Sequence, residues 1–266
     1  MENLTPKVMR SAAVLLALAA IPAFSFGKAQ QIAFTGASDS LASMNSMPIS
    51  EAATNEIVTK VLAENKRRNE RLRSYAVTRT YEIRTHEGKL AAQTVVHMEY
   101  RAPDVKTFEK TSEKGSGIVR HLVFDRLMDS ENESSTGKEH RDSALTPANY
   151  SFRFAGQEDV GSHPCYVLEV TPRRKDKYLF EGKIWIESRD FAVVKIEGHP
   201  AKRPSFWINQ ADFVREYQKV DDFWLPLRDE TQVDVKIYGK RVLTIQHGPY
   251  VLPASSQAAA AADPVN

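Results

Sequence analysis

Ser74–Arg101 reads SYAVTRTYEIRTHEGKLAAQTVVHMEYR, and its period decides the fold. Tyr75, Val77, Tyr81 and Ile83 fall on one face of a strand, and Glu87-Gly88-Lys89 makes a turn. Leu90, Ala92, Val96, Met98 and Tyr100 then fall on one face of a second strand. Apolar residues at every second position are the mark of a half-buried strand. Pro103 stops the second strand, and 105–112 reads as a polar third. Connections this short cannot make parallel crossovers, so these strands form an antiparallel meander.

Upstream the period is 3.6 rather than 2. Ser50–Arg73 predicts a helix with Ser50 as N-cap, Glu51 in the first turn and a narrow stripe of Ile57, Val58, Val61 and Leu62. Its end is basic, with Lys66, Arg67, Arg68, Arg71 and Arg73, which suits the negative pole of a helix. Downstream, Gly115 and Gly117 break the third strand, and 118–133 returns to a helical period with Leu122, Val123, Leu127 and Met128 on one side. A polar loop over 134–148 follows. Then strands resume: Tyr150, Phe152 and Phe154 alternate, and Tyr166, Leu168 and Val170 share a face of 163–172. Residues 173–177 (RRKDK) form a charged tip before Tyr178–Glu187. Ser188-Arg189-Asp190 turns the chain into a strand beginning at Phe191. After a long mixed strand from Phe206 to Val220, the last hairpin runs from Phe223 to Tyr238 and from Arg241 to Val251. In its first arm Phe223, Leu225, Leu227, Val233, Val235 and Ile237 share one parity. About ten alternating strands and two helices predict an α+β fold. Its main element is a strongly curved antiparallel sheet, an unclosed half-barrel, with the helices packed in the concave face.

The ends read differently from this folded part, which spans 50–253. Lys7 and Arg10 precede an apolar run, Ser11–Phe24, and Gly27-Lys28-Ala29 supplies small residues for cleavage. The run is too short for a bilayer, which needs about 20 apolar residues. Residues 1–29 therefore read as a secretory signal peptide, with an uncleaved anchor as the other reading. Residues 30–49 read as a flexible linker and 254–266 (ASSQAAAAADPVN) as a disordered tail. No later stretch is apolar enough for a transmembrane segment. The net charge of +2 comes from the leader, where Lys7, Arg10 and Lys28 face Glu2. A neutral mature chain gives no electrostatic case for nucleic acid.

Catalytic and metal signatures are missing from the sequence. There is no G-x-S-x-G, H-E-x-x-H, P-loop or G-x-G-x-x-G. The histidines stand singly at 86, 97, 121, 140, 163, 199 and 247, and Asp221-Asp222 is ordinary turn chemistry. The one cysteine, Cys165, cannot form an intrachain disulfide and lies in an apolar strand, as a small core residue would. The expectation is a protein that is not an enzyme and carries no cofactor and no metal.

Two stretches carry a family resemblance. Gly156–Gly198 reads GQEDVGSHPCYVLEVTPRRKDKYLFEGKIWIESRDFAVVKIEG, and Ser205–Leu227 reads SFWINQADFVREYQKVDDFWLPL. Together with the leading helix and meander they resemble the periplasmic outer-membrane lipoprotein-sorting superfamily of LolA, LolB and the sensor domain of RseB, as a divergent member. The resemblance implies an unclosed barrel with helices as a lid over a cavity for acyl chains. The chain departs from LolB-type receptors in lacking their acylated cysteine. Its 118–133 helix is also longer than a simple sorting carrier requires.

The expected function is that of a periplasmic, monomeric carrier or chaperone in envelope biogenesis, binding an acylated lipoprotein, lipid or other hydrophobic ligand. Candidate cavity walls are Tyr81, Val96, Met98, Tyr100, Phe152, Phe154, Tyr166, Leu168, Leu225 and Leu227. Apolar walls draw acyl chains from water at about 25 cal/mol per Å² without any bond being made. The alternative is a non-transporting envelope sensor or scaffold of the same fold that binds a protein partner, with the basic helix end at 66–73 as a contact. A hydrolase would need a clustered acid, base or nucleophile, and ranks last.

Overall fold

A computed structural model describes residues 50–133, 143–176, 178–203, 206, 208–236 and 239–253. The leader, the linker, most of the 134–148 loop and the C-terminal tail lie outside the described residues.

Helix α1, Glu51–Arg71, starts where the sequence places it. The Ser50 hydroxyl accepts the Ala53 N–H at 3.3 Å. Thr54, Ile57, Val58 and Val61 form its buried stripe. Burying each of the three aliphatic side chains stabilises by about 1.5–3 kcal/mol, far more than the cap. The helix ends at Leu72, which is extended, and the alternating strand pattern takes over.

Strands β1 (Ser74–Thr85), β2 (Leu90–Arg101) and β3 (Val105–Gly115) make the predicted meander. Gly115 ends it at φ +73°, and any Cβ there would lie 2.4 Å from the Ala91 carbonyl oxygen. The chain then enters a second helical segment: α2 (Gly117–Val119), a π-helical stretch (Arg120–Asp125) and α3 (Arg126–Glu133). The sequence pattern predicts a uniform helix here. The structure instead places a π-helical turn there, and Phe124 rather than Leu122 is buried beside Val123 against the sheet.

The remaining strands are β4 (Tyr150–Val160), β5 (His163–Pro172), β6 (Phe180–Glu187), β7 (Val193–Pro200), β8 (Ile208–Val220), β9 (Phe223–Val235) and β10 (Gly239–Val251). All ten lie in one sheet, ordered β3-β2-β1-β10-β9-β8-β7-β6-β5-β4, with every neighbouring pair antiparallel. The two ends, β3 and β4, do not pair with each other, so the barrel is unclosed. Curvature comes from repeated bulges. Thr111, Ala155, Val194 and Leu227 are each an extra residue against the neighbouring strand. Each insertion bends its strand and adds right-handed twist. At the tightest approach, Gly182 of β6 faces Gly198 of β7. A Cβ on Gly182 would stand 2.0 Å from the Glu197 carbonyl oxygen, and one on Gly198 2.5 Å from that of Glu181.

Two apolar clusters occupy the hollow. Under α1 lie Tyr150, Leu168, Val170, Phe180, Ile184, Ile186, Ile196 and Phe213. Under the second segment lie Tyr81, Ile83, Ala92, Val96 and Leu243, capped by Val123, Phe124, Leu127 and Met128. Cys165 is buried in a separate cluster with Val167, Trp185 and Val194, and burial pushes its thiol up to about 11. It is the inert core residue its strand implies.

Candidate functional site

The fold divides the ten candidate wall residues. Phe152, Phe154, Tyr166 and Leu168 come together beside α1. Tyr81 and Val96 sit under the second helical segment. Met98, Tyr100 and Leu225 belong to a third cluster with Leu72, Tyr75, Val77 and Phe223. Leu227 is a half-buried bulge residue, because Arg228 pairs with Glu216 while Pro226 pairs with Tyr217. Phe223, Leu225, Val233 and Val235 are all buried, as their shared parity predicts, but in two clusters: the first two with β1 and β2, the last two with Ile208 and Ala211 of β8.

Exposure separates the groups further. Tyr81, Val96 and Met98 are at most 1% exposed and are already covered by protein. Phe152, Phe154 and Tyr166 are only half-buried, as are Leu62 of α1 and Phe191, and all of them flank the cluster floored by Leu168. This is a row of aromatic surface on β4 and β5, at the open end of the sheet and alongside a helix.

The turn between β6 and β7 holds α1 in place over that row. Arg68 donates to the carbonyl oxygens of Asp190 at 2.8 Å and Phe191 at 3.3 Å. The sequence pattern starts the strand at Phe191, but β7 begins at Val193 and Phe191 belongs to the turn, at φ +48°. Its ring stacks on Tyr166 with centroids 6.3 Å apart, and the Lys60 ammonium of α1 lies 5.0 Å from its centre. The sequence reading does not single out Phe191, because alternation alone makes it an ordinary strand residue.

The hollow also contains a polar seam that the alternation hides. Arg79 shares the β1 face of Val77 and Tyr81, and its side chain is 4% exposed. It donates to Glu131 of α3 at 2.8 Å, and Lys106 of β3 donates to the other oxygen of the same carboxylate at 2.8 Å. On the far side, Asp229 accepts from Arg215 at 3.1 Å and stands 3.3 Å from His247 Nε2. Tyr250 donates to the Pro226 carbonyl oxygen at 2.7 Å, and its hydroxyl lies 3.1 Å from His247 Nδ1. His247 and Tyr250 share a face because β10 carries an extra residue between them. A signal existed for Glu131, which lies four residues beyond Leu127 on the apolar side of its helix.

Burial opposes charge throughout the seam, and the partners decide the outcome. Burial alone would raise the Glu131 pKa, but Arg79 and Lys106 outweigh it and hold the carboxyl well below the usual range. Burial would also neutralise Arg79, but Glu131 holds its pKa well above the ordinary arginine value. Asp229 is depressed in the same way, its hydrogen bond from His247 and the charge of Arg215 overcoming burial. His247 is lowered, because burial, aided by Arg79, exceeds the pull of Asp229. Burial pushes the Tyr75 and Tyr81 hydroxyls up to about 12. The seam therefore presents fixed ion pairs and neutral phenols.

Among the described residues no group of three or more His, Cys, Asp or Glu side chains could hold a metal ion. No helix among them is long and apolar enough to cross a membrane. A polar hollow of about 550 Å³ on the convex face is lined by Glu82, Arg84, His86, Arg228 and Glu230 with threonines. Its carboxylates are occupied locally: Glu82 accepts from Arg84 and Gln93, and Glu230 from Arg228 and Gln232.

Residues 57–245 match the family of unknown function DUF5686. The chain belongs to that family. No curated protein matches the sequence. Among solved structures, it is similar to a DUF1329 family protein from Desulfovibrio piger, at 14% identity and a TM-score of 0.42, over 75% of this chain and 92% of that one. It is similar to a LolA superfamily protein from Nitrosomonas europaea at 13% identity and a TM-score of 0.34, over 75% and 93%. It is also similar to an outer membrane lipoprotein-sorting protein domain from Vibrio parahaemolyticus, at 12% identity and a TM-score of 0.36, over 73% and 93%. The sorting superfamily that the sequence resembles is thus among the similar structures of this DUF5686 chain.

Proposed function

We propose that this DUF5686 protein is an exported, periplasmic binding protein that holds an acyl chain of a lipid or lipoprotein between α1 and the β4–β5 end of its half-barrel, as a carrier or chaperone in envelope biogenesis. One observation carries the reading: Phe152, Phe154, Tyr166 and Phe191 line the flank of α1 half-buried, while Tyr81, Val96 and Met98 elsewhere on the concave face are fully covered. An acyl chain laid there would gain about 0.8 kcal/mol per methylene removed from water. Ten methylenes would then give about 8 kcal/mol, which sets the micromolar range as the ceiling on affinity before the cost of association and of ordering the chain. Of the ten sequence candidates, Phe152, Phe154, Tyr166 and Leu168 form this site. Tyr81 and Val96 would join it only if the second helical segment left the sheet.

The test is to purify the mature chain, from Gln30 onward, out of the cell envelope. Its organic extract is analysed by lipid mass spectrometry, and the delipidated protein is titrated with a fluorescent fatty acid. A stoichiometric acyl lipid, or saturable uptake, supports the reading; a clean extract with no uptake ends it.

A second reading, a non-transporting sensor or scaffold that binds a protein partner, is favoured by the clamp of Glu131 on Arg79 and Lys106, which fixes the second helical segment to the sheet. Stable capture of one envelope protein by the lipid-free chain would select it.

A further inference from the structure

We propose that Phe191 is the gate of the α1 groove, and that the turn carrying it is the latch of α1. The gate rests on the acyl-site reading above; the latch stands on the geometry of the turn alone. Phe191 has φ +48°, a left-handed conformation that a bulky side chain seldom adopts. Strain of this kind persists only where the surroundings over-determine it, and here three elements do so. From β6, the Glu187 carboxylate accepts the N–H groups of Arg189 at 2.9 Å and Asp190 at 2.6 Å. From the β8–β9 hairpin, Lys219 at 2.7 Å and the Trp224 indole N–H at 2.8 Å both bind the Asp190 carboxylate. From α1, Arg68 takes the two successive carbonyl oxygens of Asp190 and Phe191.

Two of these holds are internal to the sheet. The third is the only one that α1 supplies to the turn's backbone among the described residues, and it comes from a single guanidinium. The strained conformation delivers the Phe191 ring to the place where it bridges Tyr166 and Lys60, closing the groove between wall and helix. When α1 swings out, Arg68 leaves and both carbonyls lose their donor. The turn relaxes, Phe191 returns to negative φ, and its ring withdraws from Tyr166. Lifting the helix and uncovering the aromatic wall are then one event. The strain held in the closed state lowers the cost of opening. This is what a carrier needs if it is to release its cargo as well as shield it.

The experiment uses the full mature chain without ligand. Amide hydrogen exchange is measured across α1 in wild type, Arg68→Gln, Phe191→Asn and Phe191→Gly, with circular dichroism as the check on folding. Stopped-flow fluorescence then follows entry of 11-(dansylamino)undecanoic acid. Arg68→Gln removes the latch, so α1 amides exchange about tenfold faster while β6 and β7 stay protected. Phe191→Asn tolerates the left-handed conformation and lacks the ring. It keeps α1 protected but admits the probe about tenfold faster. Phe191→Gly also lacks the ring and takes the left-handed conformation without strain, so it admits the probe faster while α1 exchanges no faster than in wild type. Unchanged α1 exchange in folded Arg68→Gln overturns the latch, and unchanged probe entry in Phe191→Asn overturns the gate. If wild type takes up no probe, the acyl-site reading fails and the gate with it, while the exchange data still decide the latch.

Discussion

Glu131, on the helical cover, and Arg79, in the middle of β1, make a 2.8 Å ion pair inside the hollow of the half-barrel. The pair joins two elements that are otherwise held by Val123, Phe124, Leu127 and Met128 against Tyr81, Ala92 and Val96. Apolar contact sets how strongly the cover binds. The ion pair sets where it binds, because each misplaced register would strand a buried charge.

Removing one partner is therefore expected to be costly. Glu131→Gln leaves Arg79 and Lys106 facing each other without a carboxylate, and should lower unfolding stability by about 3 kcal/mol. The triple variant Arg79→Met, Lys106→Met and Glu131→Leu removes all three charges and should lose less than Glu131→Gln alone. Urea unfolding of wild type and the two variants checks this. A triple variant less stable than the single one would mean that the ion cluster stabilises in its own right.

Stability should also fall with acid, in two stages. His247 has a lowered pKa in the folded chain. Above about pH 6.5 the residue is neutral in both states and changes nothing. As pH drops below that value, the unfolded chain takes up the proton first and stability declines, by at most about 1.4 kcal/mol per pH unit. Glu131 and Asp229 have depressed pKa values. Their contribution is complete above about pH 4.5 and is lost as pH falls below it, where the unfolded carboxylates become protonated. Urea midpoints at pH 7.5, 5.5 and 3.5 should decrease in that order. In His247→Phe the step between pH 7.5 and 5.5 should shrink while the acid step remains.

How much of this the sequence carried depends on the kind of signal. The Ser50 cap and the stripe of Ile57, Val58 and Val61 are local, and α1 lies where they put it. The strands were legible because apolar alternation survives in most of those that line the hollow; β3, which reads as polar, is the exception that sends Phe108 and Lys106 inward. Bulges were not legible: an extra residue such as Leu227 looks like any other until its neighbouring strand is known. The half of the candidate site made by Phe152, Phe154 and Tyr166 follows from alternation. Closure over Tyr81 and Val96 depends on where a helix docks, which no strand pattern records. Arg79 and Phe191 were invisible for related reasons. One is a charge whose partner lies 52 residues away, and the other is a turn conformation imposed by residues from three elements.

The facing glycines should tolerate no side chain. Gly182→Ala puts a Cβ 2.0 Å from a backbone oxygen of the adjacent strand, and the ladder cannot yield without parting β6 from β7. The expected loss is about 3 kcal/mol, at the upper end for overpacking. Gly117→Ala, whose nearest contact is the mobile end of Arg120 at 3.5 Å, serves as the control and should be close to neutral. Thermal unfolding of both variants decides whether the close approach of the strands is needed for the curvature.

Binding and stability should separate along the aromatic row. Phe154 is half-buried, so Phe154→Ala gives up little core and should cost under about 1.5 kcal/mol in unfolding. Its ring faces the proposed acyl chain, and its loss should weaken fatty-acid affinity about tenfold. Leu168 is fully buried beneath the same row. Leu168→Ala should cost about 2–5 kcal/mol in stability, with a smaller effect on the affinity of the molecules that remain folded. Val96→Ala, under the other cover, should destabilise without touching affinity at all. Titration with a fluorescent fatty acid beside urea unfolding gives both quantities for each variant. If affinity tracked stability across the three, the aromatic row would be ordinary core and the ligand, if any, would lie elsewhere. If Phe154→Ala alone broke the correlation, the groove beside α1 would be where the chain is held.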